Sequence, residues 1–547
     1  MPGKEVYLNY ALDQIPRILG NMDRNSFSPT YGCFHRDYWL DKTSDFPDAV
    51  RQFGSQALAI VYSTEMPNNL YFNQQKILDW AIASMEFWSE IQHKDGSFDE
   101  FYPNERGWVG PTAFTTFSII ESFNLLKEKI PLKASVKIKD SIKKAAYFIS
   151  KGDNEEDHLA NHHAMACLAV WKAYKLLGDE VLLNSYNKLW NGFLEYHIEE
   201  EGWSMEYDGI DPGYLSATVS FLGKIYQDNK DEKIKEVCLA SIETCSYFSY
   251  PNGFYAGSLG SRNTLHFYPH GFEIFGESSL LSQEVADNML LGLSEGKLVP
   301  PSIMSDRYVF YRIPEFLQSY KDFSTRREKK NSLPFENQNL YKYFEKAKIW
   351  ILSNQEKYCV VNAAKGGVVK VFNKYNNELD LNDCGIIGKL NSGKMITSQW
   401  IDEGYTISQD NNSCNIKGRL NLVPSNKYFN IPKQVLFRSF LFLLGWYPPI
   451  AHSLKGWIRK ILMLGSRPID IWFDRKIYLK KNEIIVEDKI KNLSKFNLLK
   501  LSIGDEFFVR YVPQSRYFQT QELGTKGRTL SKEKINEINR KEDWVNL

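Results

Sequence analysis

Paired amphipathic helices constrain this chain more than any other feature. From about residue 48 to 325, eight segments place apolar residues at three- and four-residue spacing, among them QKILDWAIASMEFWSEI, AFTTFSIIESFNLLKE and VLLNSYNKLWNGFLEYHI. Short or Gly-rich loops join them. Hairpins of this kind close into an α/α toroid or stack into a solenoid, and the lack of a fixed-period repeat favours the toroid. After the charged stretch KDFSTRREKKNSLPFENQN the pattern changes to short β-branched and aromatic runs, such as IDIWFDRKIYLKKNEIIVEDKIKN, which predict an antiparallel β-sandwich. The expectation is therefore an α + β multidomain chain, with a toroid at 1–330, a sandwich at 331–523 and a charged tail at 524–547.

One stretch breaks the β pattern. VLFRSFLFLLGWYPPIAHSLKGWIRKILMLGSRP predicts a helical insertion near 436–467, as two short helices about Pro448-Pro449. From Asn411 to Ile469 there are nine Lys or Arg and no Asp or Glu. Two readings follow. The pair packs on the sandwich, or it touches an anionic membrane peripherally through Trp446, Tyr447 and Trp457, with Lys455, Arg459, Lys460 and Arg467 facing the headgroups. The net charge of +1 gives no sign of nucleic acid. The start, MPGKEVYLNYALDQIPRIL, lacks an apolar core, and the seven cysteines are odd in number without a C-x-x-C pair, so a reduced, cytoplasmic protein is expected. An aromatic share of 14% suits a binder of sugar rings.

Three segments of the helical half hold uncommon residue sets. Asn161-His162-His163 opens an amphipathic helix. EGWSMEYDGIDPGYLSATV breaks at Asp211-Pro212-Gly213 and places Tyr214 at a helix start, where the dipole favours the phenolate. GSRNTLHFYPHGFE groups Arg262, Asn263, His266, Tyr268 and His270. Adjacent His162 and His163 point about 100° apart on a helix and do not chelate one ion. H-E-x-x-H, G-x-S-x-G and phosphate-binding glycine loops are absent, so neither a metal nor a cofactor is expected. The carboxylates Asp99, Glu100, Glu105, Glu206 and Asp211 keep a glycoside hydrolase open.

A toroid followed by a sandwich resembles the heparinase II/III-type polysaccharide lyases and the related glycuronyl C5-epimerases. NHHAMACLAVWKAYKLLGD is similar to their Asn-His helix start, and EGWSMEYDGIDPGYLSATVSFLGKIY to the Gly-rich stretch that runs into their catalytic tyrosine. The family's Glu-x-Ser-x-x-Tyr-His is here Asp208-x-x-Asp211-Pro-Gly-Tyr214-Leu215, so the histidine after the tyrosine is missing. The resemblance implies that Asn161 or His162 neutralises a uronate carboxylate, and that Tyr214 with His266 or His270 moves the C5 proton. Candidate substrate contacts around them are Arg262, whose fork suits a carboxylate, with Asn263, His163, Glu105, Glu206, Asp211 and Tyr268.

If the proton returns to the opposite face the enzyme is a C5-epimerase; if the C4 substituent leaves, it is a lyase. With no export signal in view, the sequence favours an epimerase of bacterial-type surface polysaccharide biosynthesis. Its substrate would be a uronate polysaccharide or lipid-linked oligosaccharide at the inner membrane face. A heparinase-like lyase, a glycoside hydrolase and an inactive glycan-binding protein are the alternatives.

Overall fold

The computed structural model describes residues 2–105, 108–151, 159–328, 332–424, 430–447, 449–451, 453–454, 466–504, 506–510, 516–518, 523–524 and 527–547. Among them, six inner helices form a closed ring: Gly54–Ser63, Val109–Leu126, Ala160–Leu177, Pro212–Asn229, His270–Gly276 and Asp306–Lys321 each pack on the next, and the last packs on the first. Each also pairs with an outer helix: Gln75–Glu90, Leu132–Ser150, Glu180–Leu194, Glu232–Ser246, Leu280–Ser294 and Glu5–Leu12 respectively. This is the α/α toroid expected from the sequence.

The two rings differ for a physical reason. Val109–Leu126 is buried almost all round, and its buried polar side chains are small hydroxyls, some of which bond back along the helix, such as Thr115 Oγ1 to the Pro111 carbonyl at 2.8 Å. Leu132–Ser150 buries one stripe, Ala134, Ile138, Ser141, Ile142, Ala145, Ala146 and Ile149, and turns its lysines outward.

The strand-rich half begins at Leu340. Among the described residues, five antiparallel strands from Leu340–Phe344 to Leu379–Asp383 lie in sequence order, and nine more strands form a second sheet. The five-stranded sheet has two buried faces. In Lys357–Asn362, Tyr358 and Val360 pack with the toroid core, while Cys359 and Val361 pack against Ile416, Phe473 and Ile490 of the second sheet. Period-two alternation thus serves two cores at once, which is why the strand is continuously apolar from Tyr358 to Val361. Arg475, fully buried, ties the layers by binding Asp383 at 3.0 Å and Asp488 at 2.8 Å. All seven cysteines are buried and without disulfides.

The charged C-terminal segment is built in. Helix Lys532–Asn539 inserts Ile535 and Ile538 into the sandwich core, and Val545–Asn546 pairs with strand Glu483–Asn492. Of the basic insertion, helix Ile431–Leu443 is described. It lies on the toroid rim through Phe437 against Tyr102, Arg438 near Asp45 at 3.3 Å, and Asn104 on the Leu441 carbonyl. Only Leu441 of this helix is buried, and Val435, Leu436, Phe442, Leu443, Trp446 and Tyr447 are exposed. The second expected helix, with Lys455, Trp457, Arg459 and Lys460, falls largely outside the described residues. No helix among the described residues is long and apolar enough to cross a membrane.

Candidate active site

His162, Tyr214 and Tyr308 are each the third residue of an inner helix: Ala160–Leu177, Pro212–Asn229 and Asp306–Lys321. First-turn positions put these groups where backbone N–H dipoles concentrate positive potential, which suits an anionic substrate. Tyr308 shares a side-chain hydrogen bond with Tyr214, and the His266 ring lies 4.9 Å from that of Tyr308 and 5.5 Å from Tyr268. The three chemical groups thus form a row, Tyr214–Tyr308–His266. His266 is fully buried, and neither ring nitrogen has a hydrogen-bond partner among the described residues. Burial and the charge of Arg312 push its pKa well down, so the imidazole is neutral.

Tyr214 departs from the expectation of a phenolate. Burial, with Tyr308, Tyr207, Tyr268 and Asp211 around it, pushes its pKa well up and keeps the phenol protonated. The positive end of the helix dipole does not outweigh desolvation here.

A tight reversal beside these groups orders the rest. Glu206 and Gly209 pair across it, and Glu206 also pairs with Leu159 just before the Asn161 helix. The Glu206 carboxylate accepts the Asn161 backbone N–H at 2.7 Å and both oxygens meet Nδ2, at 2.8 and 2.9 Å. Asn161 is therefore buried with its amide hydrogens aimed at Glu206, and of the Asn-His pair it is His162 that faces the aromatic wall of Trp108 and Phe114 at 5.9 and 5.2 Å. His163 points elsewhere and stacks on Tyr196 at 5.0 Å.

Asp211 caps the Tyr214 helix through the Tyr214 N–H at 3.2 Å and accepts the Arg262 N–H at 2.9 Å. This draws the loop 257–263 tight against the helix start. A Cβ on Gly260 would lie 2.5 Å from Asp211 Oδ2, so no larger residue fits there without displacement.

The sandwich reaches into the same place. Buried Lys365 donates to the carbonyls of Ser258 at 2.9 Å and Gly260 at 2.5 Å and to Asn263 Oδ1 at 2.7 Å. Asn263 Nδ2 donates to the Arg510 carbonyl at 2.6 Å, so the amide expected to bind substrate joins the two halves of the chain instead. Arg510 itself meets Asp208 at 2.5 Å and stacks on Trp400 at 4.3 Å, and Tyr517 approaches Tyr308 at 6.3 Å.

Several expected site residues have other occupations. The His270 ring donates its Nε2–H to Asp322 Oδ2, 2.8 Å away, and its backbone N–H reaches Glu315, which pairs with Lys224 at 2.9 Å. The His270 ring is thus engaged by Asp322, whereas the ring contacts of His266 are with Tyr308, Tyr268 and Tyr517. Tyr268 carries the Arg312 guanidinium on its ring at 4.2 Å. Glu105 accepts the N–H groups of Glu100 and Phe101, and Asp99 those of Asn104 and Glu105 as well as His93 at 2.7 Å. Glu100 pairs with Arg307. With Glu206 and Asp211 also spent on loops and caps, a free acid–base carboxylate pair for glycoside hydrolysis does not emerge among these residues.

The sequence reading missed Tyr207, Tyr308, Lys365, Trp400, Arg510 and Tyr517. Tyr308 sits in DRYVFYRIPEFL, which has the pattern of an ordinary helix, and Arg510 in FFVRYV, which has that of a strand.

Residues 68–268 match the family model of the ulvan lyase N-terminal domain. The Paenibacillus xanthan lyase structure superposes with a TM-score of 0.52 at 9% identity, covering 91% of this chain and 46% of that one. A Streptomyces coelicolor A3 chondroitin AC lyase variant gives 0.52 at 7% identity, covering 91% and 67%. This chain thus spans about half the length of the xanthan lyase structure. No curated protein matches it. A helical half that matches the ulvan lyase N-terminal domain, carried in the toroid-and-sandwich fold of xanthan and chondroitin AC lyases, places the likeness of this chain among the polysaccharide lyases.

Proposed function

We propose that the chain is a polysaccharide lyase that cleaves a uronate-containing glycan by β-elimination. The observation that carries this reading is the row Tyr214–Tyr308–His266, a neutral phenol pair beside a neutral imidazole, at the helix N-termini where positive potential gathers. His266 takes the C5 proton, and its depressed pKa keeps it available as a base. Electrons move from the C5–H bond into a C4–C5 double bond, and the C4–O bond breaks. Tyr214, held protonated, gives its proton to the departing oxygen, and Tyr308 hydrogen-bonds to it. His162 and Arg262 oppose the enolate charge that builds on the uronate carboxylate. Asn161 acts through Glu206, which fixes the helix start.

Elimination has more support than the epimerisation favoured by the sequence, because the matched domain family and both structural relatives are named lyases. Incubation with a panel of uronate-containing glycans tests it. Unsaturated uronate absorbance should grow with wild-type protein and be absent with Tyr214→Phe. Growth at an equal rate in that variant would remove Tyr214 from the mechanism.

Among the described residues, the exposed apolar face of helix Ile431–Leu443 favours peripheral membrane contact, and with it a substrate held near a membrane surface.

A further inference from the structure

His162 stands at one end of a stacked column. Its ring lies 5.9 Å from that of Trp108 with 26° between the planes, Trp108 lies 5.3 Å from Phe101 with 28° between the planes, and the Arg307 guanidinium lies 4.5 Å from the Phe101 ring. Offset rings attract one another, as does a cation over a ring face, so each member restrains the plane of the next. Charge anchors the far end. Arg307 pairs with Glu100, the residue before Phe101, and meets Asp48 at 3.1 Å. Arg307 is also the residue before Tyr308, so the column joins the helix that carries Tyr308 to the ring of His162.

The ring has a seat as well as a stack. Gly110 is the second residue of helix Val109–Leu126, and a Cβ there would lie 2.8 Å from His162 Nδ1 and 2.9 Å from Cε1. Gly110 has no positive φ, so it is the space and not the backbone that calls for glycine. Phe114, one turn further along, meets the imidazole at 5.2 Å with 83° between the planes. The imidazole is thus held from three sides, by Trp108, Gly110 and Phe114, while His162 as a whole stays only half-buried.

We infer that Gly110, Trp108, Phe101 and Arg307 are positioning residues, which hold the His162 imidazole in one orientation relative to Tyr308, so that the group opposing the carboxylate charge and the proton path act on the same sugar. This rests on the proposed elimination. A group that stabilises developing charge acts most strongly when its placement is set before the reaction, so loss of the column should act on turnover more than on ground-state binding.

Gly110→Ala in the full chain is the test, because alanine favours the helix while its methyl fills the seat. Its kcat should fall roughly ten- to hundredfold, with KM within about twofold of wild type. Made on top of His162→Ala, the same substitution should lower kcat no further. Trp108→Ala should resemble Gly110→Ala, and Trp108→Phe, which keeps a ring in the stack, should recover most of the loss. The NMR signal of the His162 ring in histidine-labelled protein, assigned by its disappearance in His162→Ala, should shift in Gly110→Ala and in Trp108→Ala, since a stacked indole shields it. An unchanged kcat in Gly110→Ala, or an equal further loss in the His162→Ala background, overturns the seat. A Trp108→Phe variant no better than Trp108→Ala overturns the column, as does a raised KM with kcat retained in Trp108→Ala, which would make Trp108 a platform for the sugar. Shifted His162 signals in the variants of a protein that yields no unsaturated product overturn the lyase reading alone.

Discussion

Lys365→Met tests how the sandwich holds the loop that carries Arg262. Lys365 is buried, and burial lowers its pKa from 10.5 to about 7. Between these values the unfolded chain keeps a proton that the folded chain has released, so rising pH stabilises the fold. Each pH unit is worth ~1.36 kcal/mol once the folded group is fully deprotonated. At pH 7 it is half titrated, so the gain from pH 7 to pH 9 is about 2 kcal/mol. Methionine has nothing to titrate. The stability advantage of wild type over Lys365→Met should therefore grow by about 2 kcal/mol over this interval, read from urea unfolding of both proteins at each pH. The variant also leaves the Ser258 and Gly260 carbonyls and Asn263 Oδ1 without their amine donor, so glycan affinity should fall with it. Parallel pH profiles for the two proteins would refute the burial argument. Unaltered glycan affinity would refute the role of the amine in placing Arg262.

Tyr308→Phe should lower turnover and leave the melting temperature within a few degrees, because the ring stays and one hydrogen bond is lost; an unchanged kcat would exclude Tyr308 from the proton path. His270→Gln should act mainly on stability, by on the order of 1–3 kcal/mol through its bond to Asp322, with kcat retained in the folded fraction; loss of kcat without loss of stability would return His270 to the chemistry. Since burial holds His266 well below the usual histidine value of about 6.5, the acid limb of kcat/KM should lie below that pH, and a limb at 6.5 or above would contradict its assignment as base. Leu436→Ser with Leu443→Ser should weaken co-sedimentation with anionic liposomes; absence of wild-type binding at low salt would discard the membrane contact.

The ring of helices was legible because its signal is local. Apolar spacing of three and four residues marks each helix, and an outer helix such as Leu132–Ser150 shows its stripe plainly. The site was legible only where a motif was contiguous. Asn161-His162 and Asp211-Pro212-Gly213-Tyr214 announce helix starts, and both stand at helix starts. What those side chains touch depends on partners far along the chain, and no periodicity reports that. Asn161 bonds to Glu206, and Asn263 to Lys365 and Arg510, so contiguity with the candidate histidines misled the reading of Asn263. The charge state of Tyr214 was misjudged for a related reason. The dipole is visible in a helix start, whereas the cluster of Tyr207, Tyr268 and Tyr308 that desolvates it assembles only in three dimensions. The tail was read from composition, and two isoleucines at three-residue spacing, Ile535 and Ile538, decide its packing.

Elimination is tested most directly by incubating the protein with a uronate-containing glycan in deuterated water and following both products by NMR. The account predicts one C4–C5 double bond for each new reducing end, and no deuterium at C5 in the uncleaved polymer. Deuterium at C5 of intact chains would show a C5-epimerase, and new reducing ends without double bonds a hydrolase; either result contradicts the account.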